Sequence, residues 1–164
     1  MTKILNTMNR FTTKTLILLI GIFIFQSCSK EDPPIDKLIG DWTVYSTTDE
    51  ANKTIIWDEL KATLVNLISE YDCLDFTASA TKQIVSTKYT FIDVNSRGCL
   101  SPIISVYTWS VDSESGLYKF IQGTNQITYQ ITFSNDDKRM TWKDQTSGAV
   151  TIWDRVSTTN ETTN

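Results

Sequence analysis

Three of the adjacent carboxylate pairs come closest to catalytic spacing among the side chains of this sequence of 164 residues. Two carboxylates can act together as a general acid and a general base. The pairs lie in a charged N-terminal stretch (Glu31-Asp32), on the polar side of a helical pattern (Asp58-Glu59) and in a turn (Asp136-Asp137). Solvent exposure explains each pair better than catalysis. The sequence also lacks histidine, the commonest general base and a member of the usual triads, so we expect no enzymatic activity.

Metal and cofactor sites have equally little support. Asn135, Asp136 and Asp137 carry oxygen atoms suited to Ca²⁺, but no EF-hand spacing surrounds them. The absence of histidine and of a Cys-x-x-Cys pair disfavours zinc, and no glycine-rich phosphate loop is present. We therefore expect neither a metal nor a cofactor.

Cys28 ends an apolar run that begins at Leu16, follows three basic residues and precedes every acidic one. Such a run is typical of a secretory signal peptide and is short for a membrane span. With Ser27 before it, Cys28 resembles the lipobox cysteine of bacterial lipoproteins. The resemblance implies removal of residues 1–27 and acylation of Cys28, palmitate included. The mature protein would then be anchored by lipid at the cell outer membrane.

Residues 28–37 contain several charges and two prolines, which is typical of an extended tether. The first five of them also resemble the charged export tag of lipoproteins from the Bacteroidetes, which implies display on the cell surface. A solvated linker explains the same residues equally well. The polar tail, residues 157–164, is expected to be disordered.

The charge balance excludes one class of partner. Residues 28–164 carry 12 basic and 19 acidic side chains, which gives a net charge of −7. Nucleic acid requires Lys and Arg to neutralise phosphates, so we expect no nucleic-acid partner. Adsorption to anionic lipid is disfavoured for the same reason, and attachment to the membrane would depend on the acyl anchor.

Cys73 and Cys99 remain as a pair if Cys28 carries lipid. An exported protein can form a disulfide. Closing a loop of roughly 25 residues would stabilise the fold by about 3 kcal/mol. Two buried free thiols are the alternative.

The remaining pattern predicts a mainly β domain over residues 38–156. Residues Trp57–Tyr71 repeat apolar side chains at helical spacing and predict one amphipathic helix of roughly four turns. From Leu74 onward apolar and polar residues alternate between short turn motifs, most clearly over Ile127–Phe133. These strands predict an antiparallel, up-and-down barrel of about eight strands, because closure removes exposed sheet edges.

The order of motifs resembles that of bacterial lipocalin-like domains. Leu38-Ile39-Gly40-Asp41-Trp42 follows a lipoprotein tether, as the first strand of that family does. Cys73 in the first third and the later run Tyr118-Lys119-Phe120 extend the resemblance over residues 38–156. The resemblance implies a lipocalin-like antiparallel barrel.

In lipocalins the first-strand Trp closes one end of the barrel and an Arg of the last strand packs on it. Here the resemblance assigns these roles to Trp42, with Gly40 beside it, and to Arg155. The cation–π contact would be worth about 0.5–2 kcal/mol. Val150 and Ile152 share the face opposite to Arg155 in a regular strand, so the contact would need a bulge.

The helix lies where the related fatty-acid-binding proteins carry a helical cap, which would place it over the barrel mouth. We favour a simpler role, in which the helix covers one end as ordinary core with Leu60, Leu64 and Leu67 packed inward. Amphipathic helices usually bury one face in this way.

Aromatic strand residues are the best candidates for a binding site. An apolar cavity with a few polar tips suits a small molecule, and a filled core is the alternative. We expect non-catalytic binding of a small apolar or amphipathic ligand, with a protein-interaction or accessory module of an envelope complex as the second hypothesis. The candidate ligand-binding residues are Tyr107, Trp109, Tyr118, Phe120, Tyr129 and Trp142.

The anchor is testable by substitution. Because acylation requires the thiol, the Cys28→Ala variant is expected to move from the membrane fraction to the soluble fraction. Fractionation of the native host followed by immunoblotting measures the change, and Ser29→Ala, which keeps the cysteine, is the matched control. Membrane retention of the Cys28 variant would contradict lipidation.

Overall fold

The structure is a computed structural model that describes residues 35–157. The predicted signal peptide (1–27), the lipidated Cys28, most of the tether and the tail beyond Ser157 lie outside the described residues. Within the described part of the chain, no helix is long and apolar enough to cross a membrane.

Antiparallel strands make up most of the described chain, with one α-helix, α1 (Trp57–Leu67), and one 3-10 helix (Ser69–Cys73). The helices follow the first two strands. The strands are β1 (Gly40–Thr48), β2 (Thr54–Ile56), β3 (Asp75–Ala80), β4 (Ile84–Thr90), β5 (Ile92–Asp93), β6 (Gly98–Cys99), β7 (Ile103–Val111), β8 (Tyr118–Gln122), β9 (Asn125–Ser134), β10 (Arg139–Asp144) and β11 (Val150–Arg155).

Eight of these strands close into a barrel. Their spatial order is β11, β10, β9, β8, β7, β4, β3 and β1, and β11 also pairs with β1. In that closing pair Trp42 lies opposite Arg155, and Thr48 lies opposite Val150. The predicted mainly β, closed antiparallel barrel with a helix after the first strand is therefore confirmed.

The last strand buries the face that contains Trp153, opposite to the face of Val150 and Ile152. Trp153 is buried, whereas Ile152 is half-buried. An indole buries more apolar area than a β-branched side chain, which favours this choice. Arg155 shares the face of Trp153, so β11 itself needs no bulge, and the register instead shifts within β1 between Val44 and Ser46.

The helix differs from the prediction in length and in packing. It ends at Leu67, because Ile68 adopts an extended conformation, and Tyr71 belongs to the 3-10 helix. No residue of α1 is fully buried. Leu67 is 74% exposed, so its expected inward packing is wrong, whereas Leu60 and Leu64 are half-buried. Tyr71 is buried in the 3-10 helix.

A disulfide joins Cys73, the last residue of the 3-10 helix, to Cys99 in β6, with their Cα atoms 6.2 Å apart. The predicted pairing is confirmed, and the alternative of two free thiols is excluded. The bond ties the 3-10 helix to the small β5–β6 hairpin beside the start of β3 and the end of β4. We call this the helical end of the barrel.

The opposite end, which we call the closed end, is filled by Trp42 and Arg155. Trp42 is fully buried, and its indole N–H donates a hydrogen bond to the Leu38 carbonyl at 2.9 Å. The Arg155 guanidinium carbon lies 4.1 Å from the centroid of the Trp42 ring. The guanidinium also donates hydrogen bonds to the backbone carbonyls of Lys37, Ile39 and Asp137.

Gly40 permits this close approach. Its φ of +138° is one that residues with a side chain rarely adopt. A Cβ at this position would lie 2.5 Å from the Arg155 Nη1 atom. Backbone conformation and space therefore both require glycine.

Arg155→Met tests the importance of the closed end, since it keeps a long stem but removes every donor. We expect the free energy of unfolding to fall by about 2–3 kcal/mol, because three carbonyls lose a charged donor. Urea denaturation measures the change. The matched control is Lys88→Met, which breaks an exposed ion pair with Asp75 and is expected to cost less than about 1 kcal/mol. Equal losses in both variants would contradict the assignment.

Candidate functional site

A continuous series of aromatic rings crosses the barrel interior from the helical end. Successive rings contact one another at centroid distances between 3.8 and 6.1 Å. We call these eight rings the aromatic series, and they are Trp57, Phe76, Tyr89, Tyr107, Phe120, Tyr129, Trp142 and Trp153.

Strand alternation explains how the series is assembled. Side chains two residues apart face the same side of a sheet, so each strand can send one large ring toward the barrel axis. Seven of the eight barrel strands do so, and α1 adds Trp57. Aromatic pairs at these distances contribute about 0.5–1.5 kcal/mol beyond the burial of their area, so the series is also the centre of the core.

Trp57 enters the series through a gap between two strands. Pairing of β1 with β3 stops at Thr43 and Thr77. Beyond that point Trp57 packs edge-on against Phe76 at 5.5 Å, and its indole N–H donates to the Thr47 hydroxyl at 3.2 Å. A pocket of about 90 Å³ lies beside this contact and reaches Trp57 and Phe76. It offers a lateral entrance to the series.

Two phenol groups of the series, those of Tyr89 and Tyr129, have raised pKa values. Burial raises the pKa of Tyr89 to about 12, and the nearby Tyr107 phenol adds to the effect. The pKa of Tyr129 is raised first by burial and then by the Asp144 carboxylate and the phenols of Tyr107 and Tyr89. Polar tips therefore converge in an otherwise aromatic interior.

Two buried indole groups in the middle of the series have no hydrogen-bond partner among the described residues. They belong to Trp142, which is 5% exposed, and Trp153, which is 1% exposed. Their rings lie 4.9 Å apart. Most buried polar groups are paired, because an unpaired one costs about 1–3 kcal/mol. The two donors therefore mark a place suited to a hydrogen-bond acceptor.

Four of the six predicted ligand-binding residues lie together in this series. The Phe120 ring contacts Tyr107 and Tyr129. Trp142 contacts both Phe120 and Tyr129. They form the half of the series nearest to β7, β8 and β9.

The other two predicted residues, Trp109 and Tyr118, lie at the closed end. Their rings stack at 5.9 Å. The Trp109 indole donates to the Thr81 carbonyl at 2.8 Å, and the Tyr118 hydroxyl donates to the Asp36 carboxylate at 3.1 Å. Their polar groups are thus used within the protein and lie outside the candidate site.

Sequence reasoning missed Trp57, Phe76, Tyr89 and Trp153 as members of the site. Phe76 is the one aromatic in a strand of small residues, and Tyr89 precedes a more exposed aromatic, Phe91. Trp153 could have been predicted, because it lies two residues before Arg155. The two side chains therefore share one face of the strand, and Arg155 was expected to point inward.

The two carboxylate pairs within the described residues lie in different parts of the fold. Asp58 and Glu59 are exposed on α1. Asp136 and Asp137 lie in the β9–β10 turn with positive φ angles of 52° and 62°, and Asp137 pairs with Lys37 at 2.9 Å. Within residues 35–157 no group of three potential metal ligands occurs.

Comparisons with known proteins were made at the level of sequence and of structure. No protein-family model matches the sequence, and no curated protein matches it significantly. The crystal structure of a lipocalin-like protein from Bacteroides uniformis is similar over 74% of this chain and 100% of its own, with 7% identity and a TM-score of 0.43. A likeness at this level carries no argument, and the closed barrel is established by its strand pairing alone.

The raised pKa of Tyr89 predicts a loss of stability at alkaline pH. An unfolded tyrosine ionises near pH 10, whereas folded Tyr89 keeps its proton to about pH 12. Between these pH values the folded state therefore binds more protons than the unfolded state. The free energy of unfolding falls as pH rises from about 10 to 12, and Tyr89 does not affect it below pH 10.

Tyr89→Phe is expected to reduce that fall, as measured by urea denaturation at a series of pH values. Phe91→Leu removes the ring that stacks on Tyr89 at 5.9 Å without removing a titratable group, and serves as the control. An unchanged slope in the Tyr89 variant would show that this phenol is not protected.

Proposed function

We propose that this protein binds a small, mostly apolar molecule at the aromatic series inside its barrel, without catalysing a reaction. The observation that carries the proposal is the pair of buried, unpaired indole N–H groups of Trp142 and Trp153. A packed core with no role in binding would have little reason to keep two such donors side by side.

The remaining features of the series support a binding site. Ligand pockets are lined mainly by apolar and aromatic side chains, with a small number of polar groups that orient the ligand. Here the rings supply the apolar surface, and the hydroxyls of Tyr89, Tyr107 and Tyr129 supply polar tips. The pocket beside Trp57 supplies a route of entry.

We further infer that the barrel is a lipocalin-like domain that an acyl chain on Cys28 holds at the outer membrane, facing the cell surface. The support lies in the sequence, in the apolar run before Cys28 and the charged residues after it. The acidic character of residues 28–164 agrees with an anchor that does not depend on anionic lipid.

A protein-interaction module is the second candidate, and a patch on the outer face of the barrel favours it. Ile104 and Val106 in β7 are 62% and 46% exposed. In the adjoining row Ile84 and Ile121 flank Thr108 from the neighbouring strands. An exposed aliphatic patch of this kind suits a partner protein.

Native mass spectrometry of the full chain purified from its own envelope distinguishes the two functions. We expect a non-covalent small molecule that is lost on denaturation. The Ile104→Lys/Val106→Lys variant is the matched control, since it alters only the outer patch and is expected to retain that molecule. A protein without a small molecule, together with a stoichiometric partner that the control variant loses, would contradict ligand binding and favour the interaction module.

A further inference from the structure

We infer that the ligand is an uncharged molecule of about single-ring size whose carbonyl oxygen accepts hydrogen bonds from the indole groups of Trp142 and Trp153. The inference rests on the proposed function and narrows it to one chemical class. It depends on three features of the aromatic series, namely which hydrogen-bonding groups are unpaired, which charges are present, and how much room the entrance gives.

The unpaired groups require an acceptor. An indole N–H can only donate, so neither Trp142 nor Trp153 can satisfy the other across their 4.9 Å contact. Their other aromatic neighbours are Phe76, 4.6 Å from Trp153, and Phe120 and Tyr129, 5.2 and 5.5 Å from Trp142. No acceptor among the described residues, the Tyr129 hydroxyl included, pairs with either indole N–H, so a bound molecule can supply the missing oxygen or nitrogen.

The charges in the interior disfavour an anionic ligand. The buried polar side chains of the described range are those of Ser46, Thr87 and Thr90, so neither lysine nor arginine is buried there. The Asp144 carboxylate acts on the series and contributes to the raised pKa of Tyr129. A carboxylate ligand would lose its hydration beside a like charge and without a counter-ion, which is strongly unfavourable.

The cations around the barrel are engaged elsewhere. Arg155 is held beneath Trp42 at the closed end by three carbonyls. Lys61, at the entrance pocket, pairs with Asp72 at 3.2 Å. Neither cation reaches the two indole groups, and a neutral acceptor therefore fits better than a fatty-acid or phosphate headgroup.

The room available sets the size of the ligand. The entrance pocket of about 90 Å³ is lined by Trp57 and Phe76 and stops short of Trp142 and Trp153. Beyond it the rings already contact one another. A molecule of single-ring size can be accommodated by small ring shifts, whereas a long acyl chain would require the series to separate.

Three probes of matched shape test the class of ligand. Acetophenone carries a neutral carbonyl, ethylbenzene lacks an acceptor, and benzoate carries a charged one. We expect calorimetric titration of the full-length chain to show acetophenone binding at least tenfold more tightly than either of the others. In the ¹⁵N-tryptophan-labelled protein, the indole N–H resonances of Trp142 and Trp153 should shift with acetophenone and not with ethylbenzene.

Conservative variants assign the effect to the two donors. Trp142→Phe and Trp153→Phe keep a ring but remove the N–H, and each is expected to reduce the preference for acetophenone over ethylbenzene to within about threefold. Trp109→Phe is the matched control, because its indole already donates to Thr81 at the closed end, and it should keep the full preference.

The outcomes separate this inference from the proposed function. Equal binding of acetophenone and ethylbenzene, or tightest binding of benzoate, would overturn the inference and leave ligand binding in the barrel standing. Failure of all three probes to bind or to shift any indole resonance would overturn both. Loss of preference in the Trp109 variant would also overturn the assignment, since the effect would not be specific to the unpaired donors.

Discussion

The contact between Arg155 and Trp42 is the interaction on which the closed barrel depends. The Arg155 guanidinium lies over the Trp42 ring. It donates hydrogen bonds to backbone carbonyls of two separate segments, one before β1 and one between β9 and β10. These carbonyls lie where the sheet hydrogen bonds end, so a side chain must supply their donor. Because β1 and β11 meet at this point, the same residue fixes the register of closure, and closure removes the free edges that an open sheet would expose.

The interior serves both stability and the proposed binding, and the two demands differ. Seven strands each contribute a ring, and the resulting contacts stabilise the core. The same packing leaves the indole N–H groups of Trp142 and Trp153 without an acceptor among the described residues. The ligand-free barrel therefore carries an unfavourable contribution at its centre, which an acceptor of the right geometry would remove. A phenylalanine at either position would avoid that cost but would also lose the polar feature that could orient a ligand.

Local alternation predicted the barrel, and three-dimensional features decided the rest. Ile127–Phe133 lies in β9 as expected, because a strand with one buried face must alternate. Alternation could not predict which face of β11 points inward, because apolar residues occupy both faces. In the structure the larger Trp153 lies in the interior. Helical periodicity could not show that α1 would end at Leu67 and leave that side chain exposed, with Tyr71 buried in the 3-10 helix. Sequence reasoning did not find the whole candidate site, in part because an indole N–H is paired or unpaired according to its neighbours in the fold.

Barrel closure also has a consequence for when the protein can fold. The hydrogen bonds from Arg155 to Ile39 and Lys37 join residues 116 and 118 positions apart. Contacts between such distant residues form slowly, because the entropy of closing the intervening loop is lost before any contact forms. On the ribosome, β1 can pair with β2 and β3 early, but its other edge has no partner until β11 has been made. Until then the emerging meander keeps two unprotected edges, so folding is expected to be completed only after synthesis of the last strand.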